Sequence, residues 1–534
     1  MKKKMIVIIS VIVLIISFFL INNLQSKNFT VFNDVSEKKL LQLQSSLKEV
    51  DKLSFTALLC NEIRVPMDDA SKTFYVPLDM EQEDWEKLEF ISGQPEYQVV
   101  FSEDLTDYCK QDVIASGHKF PIMVYNHESW ATYYIVISGV PIIDLATNEG
   151  FWNENITGTA FFYDINFTDY GVETSEYNAH IRGNTSRMFP KKGYKLNLTT
   201  SAGGETVLNK MSLFGMRKDD DWILHALYND DTKIRDRLSM EVWERLGAKS
   251  VSESSYYGAK MTYVEVFADN SYCGLYGLME PIDAKQLDLS EGDYAYKREN
   301  PGGLKYQYSR FFEEKDPYAV VEGFVIKEGA MTEDAWSPLA DLCALLTFED
   351  EAFVEQQTGM INIDSALRLW LFLQLITGHD HTAKNVFYVA KESEEAQFGY
   401  EFFFAPWDLD LTWGNVSVGE INTVYTEFEW DTVDNRVIWE TADRLLEVDY
   451  NGANRRMEQL YHDFRRFDMT DEALENIILT LDHQVRDSGA FLRDKERWLD
   501  SVHADDCNTL LEYAKDRLAF LDKALYNLKY FDEL

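Results

Sequence analysis

Hydrophobic and polar positions follow three rhythms along this chain. Residues 5–21 form one apolar run in which only Ser10 and Ser17 are polar. Residues 34–52 set Val35, Leu40, Leu41, Leu43 and Leu47 among lysines and glutamates, at helical spacing. From 53 to about 140 the period shortens. Strand-like runs at 74–76, 97–101, 122–125 and 133–138 are separated by polar turns. The same period continues through 141–145, 157–163, 177–181, 194–198 and 222–227. One helix, 233–246, is introduced by Asp230, Asp231 and Thr232 and closed by Gly247. Strands 263–268 and 276–280 flank the turn Asp269-Asn270. Beyond 285, after a strand at 324–327, helical periods dominate at 337–346, 363–376, 435–446, 451–467, 471–486 and 509–528. Two strands, 386–390 and 400–405, interrupt them. The pattern predicts an α+β chain in four parts: an N-terminal membrane segment, 1–27; a helix with a small β-rich domain, 28–140; a β-rich lobe with one main helix, 141–284; and a mostly helical lobe, 285–534.

Charge and termini change this picture at two points. There are 91 acidic against 51 basic residues, a net charge of −40. Such a surface repels a phosphate backbone, which excludes nucleic acid as a partner. Lys2, Lys3 and Lys4 precede the apolar run, and Asn22, Asn23, Gln25 and Lys27 follow it, so the segment reads as a signal peptide or a signal-anchor. No small-x-small cleavage site follows. An uncleaved anchor is therefore expected, with its positive end in the cytoplasm and the body outside a single-pass membrane segment; cleavage would make the protein secreted. The five cysteines, Cys60, Cys109, Cys273, Cys343 and Cys507, are odd in number and contain no Cys-x-x-Cys. They support neither a disulfide framework nor a thiolate metal site. A Cys60–Cys109 bridge stays open.

The chemistry gathers between 376 and 411. Asp380 and Asn385 stand in Asp-x-x-x-x-Asn, and Asp408 and Asp410 in Pro-Trp-Asp-Leu-Asp. Asn385 begins one predicted strand and Asp408 ends the next, so a hairpin brings Asp380, Asn385 and Asp408 to one end. Hard oxygen ligands gathered this way suit magnesium or manganese. Phosphoryl-transferring enzymes use the same residue types: an Asp that positions the acceptor hydroxyl, an Asn five residues on, and a later Asp for metal. Upstream, the loop Arg182-Gly183-Asn184-Thr185-Ser186-Arg187 lies between two strands. It can aim backbone N–H groups and hydroxyls at phosphate oxygens, with charge-assisted bonds from Arg182 and Arg187. The bland alternative is a tight turn with exposed arginines and a pair of capping aspartates.

Five motifs follow one another in order: RGNTSRMFPKKGYKLNL, DDTKIRDRLSMEVWERLG, YVEVFADNSYCGLYGLMEPID, GHDHTAKNVFYV and FFFAPWDLDLTWG. In them the chain resembles the CotH kinase family, named for a spore-coat protein, over roughly residues 141–534. The resemblance implies an atypical protein-kinase-like two-lobed fold. It implies transfer of the γ-phosphate of ATP, with magnesium or manganese, to hydroxyl side chains of a surface or coat protein. It gives Asp380 the catalytic role, Asn385 and Asp408 the metal with Asp410 in reserve, and Arg182–Arg187 the phosphates. A nucleotide-binding lysine is implied within PKKGYK. Lys192 shares strand parity with Tyr194, Leu196 and Leu198, whereas Lys195 points oppositely; Glu280 or Glu241 would be the carboxylate partner. The chain departs from ordinary kinases. It has no G-x-G-x-x-G loop, and Asp-Leu-Asp stands where Asp-Phe-Gly would, so nucleotidyl or aminoacyl transfer stays open. Some family members act as adhesins or invasins. The alternative is therefore a catalytically inactive surface protein of adhesion or coat assembly, against which the retained Asp380, Asn385 and Asp408 speak. Glycoside hydrolysis would need two acids flanking a sugar cleft, which this spacing does not call for.

Overall fold

The computed structural model describes residues 30, 37–81, 85–103, 108–202, 204–247, 259–300, 309–382, 384–417, 420–421 and 436–525. The predicted membrane segment lies outside these residues. Among the described residues no helix is long and apolar enough to cross a membrane. The fold is mixed α and β, and the chain forms two units.

The first unit takes residues up to Ala146 together with Ala160–Thr174 and Glu265–Cys273. After the helix Glu37–Ser46 it is built on a sheet. Thr73–Pro77 runs parallel to Ser129–Ser138, and Phe120–Tyr125 and Gln98–Phe101 follow antiparallel. Aromatic side chains fill it, with Phe55 set edge-on to Phe74 and Tyr133 at 5.4 and 5.3 Å. Tyr133 is fully buried because its hydroxyl donates to the Leu53 carbonyl (2.8 Å) and accepts from the Leu53 N–H (3.1 Å). The sequence pattern puts a border near 140. Here the chain returns twice instead. Ile142–Thr147 pairs in parallel with residues 265–268, and Tyr163, Phe167, Phe267 and Tyr272 join the same core as Tyr75. All five cysteines are free, and the Cys60–Cys109 bridge is not formed.

The second unit takes Thr147–Thr159, Ser175–Val264 and the chain from Gly274 onward. Glu173–Ile181 and Tyr194–Ala202 form an antiparallel hairpin, and Asp221–His225 pairs with the second of these strands. The helix Arg235–Gly247 follows. Its first turn is held from upstream, since the buried Asp230 accepts from the N–H groups of Thr232 (3.0 Å) and Arg235 (2.8 Å). The C-terminal part carries a four-stranded sheet in the order Phe324–Glu328, Tyr294–Arg298, Val386–Glu392, Tyr400–Pro406. The helix Ile363–Ile376 is apolar nearly all round and is buried from Ser365 to Ile376, as such a sequence requires. Asn362 caps it by accepting from the Ser365 N–H (2.9 Å). The helices Asp471–Arg486 and Asn508–Leu525 stand where the periodicity predicts them. The short helices Asp350–Gln356 and Ala490–Arg497 do not register in that pattern, being only about two turns each.

Candidate functional site

The site is assembled at the ends of secondary structure. The helix Ile363–Ile376 stops at Thr377, whose backbone is left-handed (φ 53°), and a 3₁₀ turn, His379–Thr382, then carries Asp380. The buried His381 lies with Nε2 2.8 Å from the Trp407 carbonyl, which ties this turn to the far end of the hairpin. Asn385 is held by its backbone on both sides: its N–H donates to the Arg298 carbonyl (2.8 Å), and its carbonyl accepts from Trp407 (2.9 Å). Asn385 and Asp408 both have positive φ, 63° and 61°. Asn and Asp enter that region more readily than other non-glycine residues, and backbone of this kind concentrates at functional sites. Asn385 Nδ2 donates to Asp380 Oδ2 (2.8 Å), and Lys384 Nζ lies 3.0 Å from the same oxygen. Asp380 Oδ1 takes neither contact.

Asp380, Asp408 and Asp410 line one cavity of about 230 Å³ together with Arg182, Gly183, Asn184, Thr185 and Ser186. His225, Asn229 and Lys384 face it as well. Burial pushes the Asp408 carboxyl up, but the positive charges of Arg182, Lys297, His225 and Lys384 outweigh it and hold the group below the usual carboxylate range. Asp410 goes the other way. Burial, with the charges of Asp408 and Asp236, pushes it up to about 7, and Asn229 Nδ2 donates to it at 2.7 Å. Burial lowers Lys297 to about 8 against the pull of Asp408 and Glu299. Its ammonium lies 5.9 Å from the Phe387 ring centre and 5.5 Å from that of Trp407. Burial also lowers the basicity of His381, despite the charge of Asp380.

The loop Arg182–Arg187 is strung between the paired ends Ile181 and Tyr194 and closed by the Arg182 N–H donating to the Gly193 carbonyl (2.9 Å). Gly183 has φ 97°, and a Cβ there would lie 2.0 Å from Ser186 Oγ, so a side chain at this position would strain the backbone and displace the serine hydroxyl. The Arg182 guanidinium sits 5.5 Å over the Trp407 ring. Arg187 turns out of the cavity, donating to the Ile181 carbonyl (2.8 Å) and pairing with Glu154. The predicted lysines are engaged elsewhere. Lys192 donates to the Arg187 carbonyl (2.6 Å), and its expected parity does not apply because the strand starts only at Tyr194. Lys195 pairs with Asp221 at 2.8 Å. Lys191, the first lysine of PKKGYK, is fully buried with Nζ 2.6 Å from Asp494 Oδ1. Glu280 accepts from the N–H groups of Arg217 (3.0 Å) and Lys260 (3.3 Å), so it serves the backbone and not a lysine side chain. Glu241 accepts from Arg237 Nε (3.2 Å) and lines a separate cavity of about 370 Å³ with Met216, Met240 and Met261. Lys192, Lys195 and Glu280 do not line the 230 Å³ cavity.

Two cations near Asp408 escape the sequence reading. Lys384 lies inside the motif GHDHTAKN and adjoins Asn385, so that motif could have pointed to it. Lys297 has no such signal. Its strand, Tyr294–Arg298, is missing from the sequence pattern, which reads the chain from 297 as a Gly- and Tyr-rich connection, and the cross-strand register Lys297 to Phe387 sets the lysine at the Asp408 end of the sheet.

The oxygen donors Asp380, Asn385, Asp408 and Asp410 fit a hard divalent cation. Among the described residues no group of three or more His, Cys, Asp or Glu is arranged to hold an ion by itself. A family model described as CotH kinase protein matches residues 179–521, more than half of the chain. The chain belongs to the CotH kinase family. Membership suggests a kinase and, with it, use of ATP. The order of hairpin, third strand, helix and strand in the second unit fits a kinase-like fold. The match begins in the strand leading into the phosphate loop, later than residue 141. A search of curated proteins returned no match.

Proposed function

We propose that this CotH family chain transfers the γ-phosphoryl group of ATP to a Ser, Thr or Tyr hydroxyl of a surface or coat protein. The observation that carries the reading is the convergence of Asp380, Asp408, Asp410 and the Arg182–Ser186 loop on one cavity. Backbone N–H groups and hydroxyls of the loop bind phosphate oxygens, and Arg182, Lys297 and Lys384 supply positive charge around them. Asn385 and Asp408 would hold a magnesium or manganese ion, with Asp410 as the further carboxylate. When bound, the cation neutralises charge on the β- and γ-phosphates. Asp380 orients the acceptor hydroxyl. The acceptor oxygen bonds to the γ-phosphorus, the bond to the ADP oxygen breaks, and the hydroxyl proton passes to the Asp380 carboxylate. Catalysis rests on positioning and charge neutralisation.

The basic and apolar N-terminus supports a single-pass anchor, with the catalytic body and its protein partner on the extracytoplasmic side. The test is a series of three variants assayed for Mn–ATP binding and for transfer of labelled phosphate. Asp408→Ala is expected to abolish both. Asp380→Ala is expected to stop transfer, with binding near wild type, because its role lies with the acceptor. Binding lost in Asp410→Ala but kept in Asp408→Ala would move the metal to Asp410. A wild-type protein that binds no Mn–ATP would overturn the phosphotransferase reading and favour an inactive surface protein of adhesion or coat assembly.

A further inference from the structure

The strand Asp221–His225, which pairs with the second strand of the hairpin around the Arg182–Ser186 loop, ends on His225, a residue that lines the cavity. It carries no lysine. His225 Nε2 lies 3.0 Å from Oδ2 of Asp236, in the first turn of the helix Arg235–Gly247. Both side chains are shielded from water, 14% and 3% exposed. The other oxygen of Asp236 accepts from the N–H of Leu409, between Asp408 and Asp410, at 3.1 Å. One turn along the helix the contact is repeated. Ser239 Oγ lies 3.1 Å from Thr412 Oγ1 and accepts from Trp413 Nε1 at 2.9 Å. In protein kinases a strand lysine that contacts phosphates must be paired with a helix carboxylate before the site is competent. This chain has a strand, a helix and a carboxylate in the same order, with histidine in the lysine's place.

Resting on the phosphotransferase reading of this cavity, we propose that His225 is a phosphate-contacting residue and that Asp236 positions it while holding the Asp408–Asp410 loop. The imidazole offers a flat N–H donor where a lysine would offer a flexible ammonium. A single carboxylate then joins the nucleotide side of the cavity to the metal side, so the helix can be in place for both or for neither. Such a link predicts different kinetic signatures for its two halves. Loss of His225 removes a contact to the nucleotide. Loss of Asp236 releases His225 and the metal-binding loop together.

The experiment measures Mn–ATP affinity, KM and kcat for labelled-phosphate transfer, and melting temperature, in full-length wild type, His225→Ala, His225→Lys, Asp236→Asn and Asp236→Ala. His225→Ala is expected to weaken Mn–ATP binding about tenfold or more, with a smaller change in kcat. His225→Lys should recover most of that affinity. Asp236→Asn keeps an oxygen for the Leu409 N–H but not the charge facing His225, so its defect should lie mainly in KM. Asp236→Ala should lower kcat as well. If His225→Ala fails to fold, the His225→Lys and Asp236→Asn pair carries the test through the same split. Wild-type affinity in His225→Ala, or no recovery in His225→Lys, would overturn this proposal and leave the phosphotransferase reading standing. A wild type that does not bind Mn–ATP would overturn both.

Discussion

Lys297 is the residue whose surroundings say most about its use. Its burial lowers the ammonium's basicity to about 8, so the fold holds a charge there at a cost. Lys297→Met is expected to weaken Mn–ATP binding about tenfold or more without lowering the melting temperature, since an apolar side chain suits the Phe387 and Trp407 rings at least as well. Unchanged affinity would make this lysine a bystander. Asp494 contrasts with it. Burial pushes its carboxyl up, but Lys191 and a hydrogen bond with His503 outweigh this and hold it well below the usual carboxylate range. A depressed folded-state pKa contributes stability that is fully present above about pH 4 and is lost as pH falls further. Asp494→Ala should cost about 3–5 kcal/mol by taking the carboxylate away from the buried Lys191 ammonium. Urea titrations from pH 6 down to 2 should show the wild type losing stability below pH 4 and Asp494→Asn losing less. Equal slopes would assign the acid lability to other groups.

At the scale of elements, the site depends on where helices and strands stop. The helix Ile363–Ile376 delivers the turn bearing Asp380, and its start is fixed by Asn362, which caps Ser365 and also donates to Glu401 on the hairpin (2.9 Å). Asn362→Ala is expected to cost about 1 kcal/mol or somewhat more, read from denaturant midpoints; a neutral result would show that hydrophobic burial alone places this helix. The phosphate loop depends on Gly183 in the same way. Gly183→Ala puts a methyl against Ser186 and an alanine at φ 97°. It should open the loop and abolish phosphate transfer, with only a small change in melting temperature because the loop lies at the cavity and not in the core.

At the scale of the whole molecule, the two units divide the labour unequally, since every residue discussed for the candidate site lies in the second. The first unit contributes a sheet with an aromatic core. The proposed location rests on the N-terminus. The segment after Lys2–Lys4 should retain the full-length chain in the membrane fraction, with the body open to external protease. Recovery of a soluble product beginning near residue 28 would instead identify a cleaved signal.

The sequence by itself determined the elements with long periods and the residues whose spacing is local. The helices at 363–376 and 471–486, the 386–406 hairpin, and the grouping of Asp380, Asn385 and Asp408 are legible because each depends on neighbours a few residues away or on one hairpin. The Arg182–Ser186 loop is legible for the same reason, as glycine and small polar residues between two strands leave few alternatives. Tertiary structure alone decided which cations meet those carboxylates. Lys192 and Lys195 are near the phosphate loop in sequence, yet strand start and pairing commit them to the Arg187 carbonyl and to Asp221. Lys297 comes from a strand far from both motifs and arrives by cross-strand register. His225 and Asp236 meet because a strand end and a helix start pack together. Local periodicity reports which face of an element is buried. It carries no information about which distant element will cover that face, and charge pairing in a buried site is settled there.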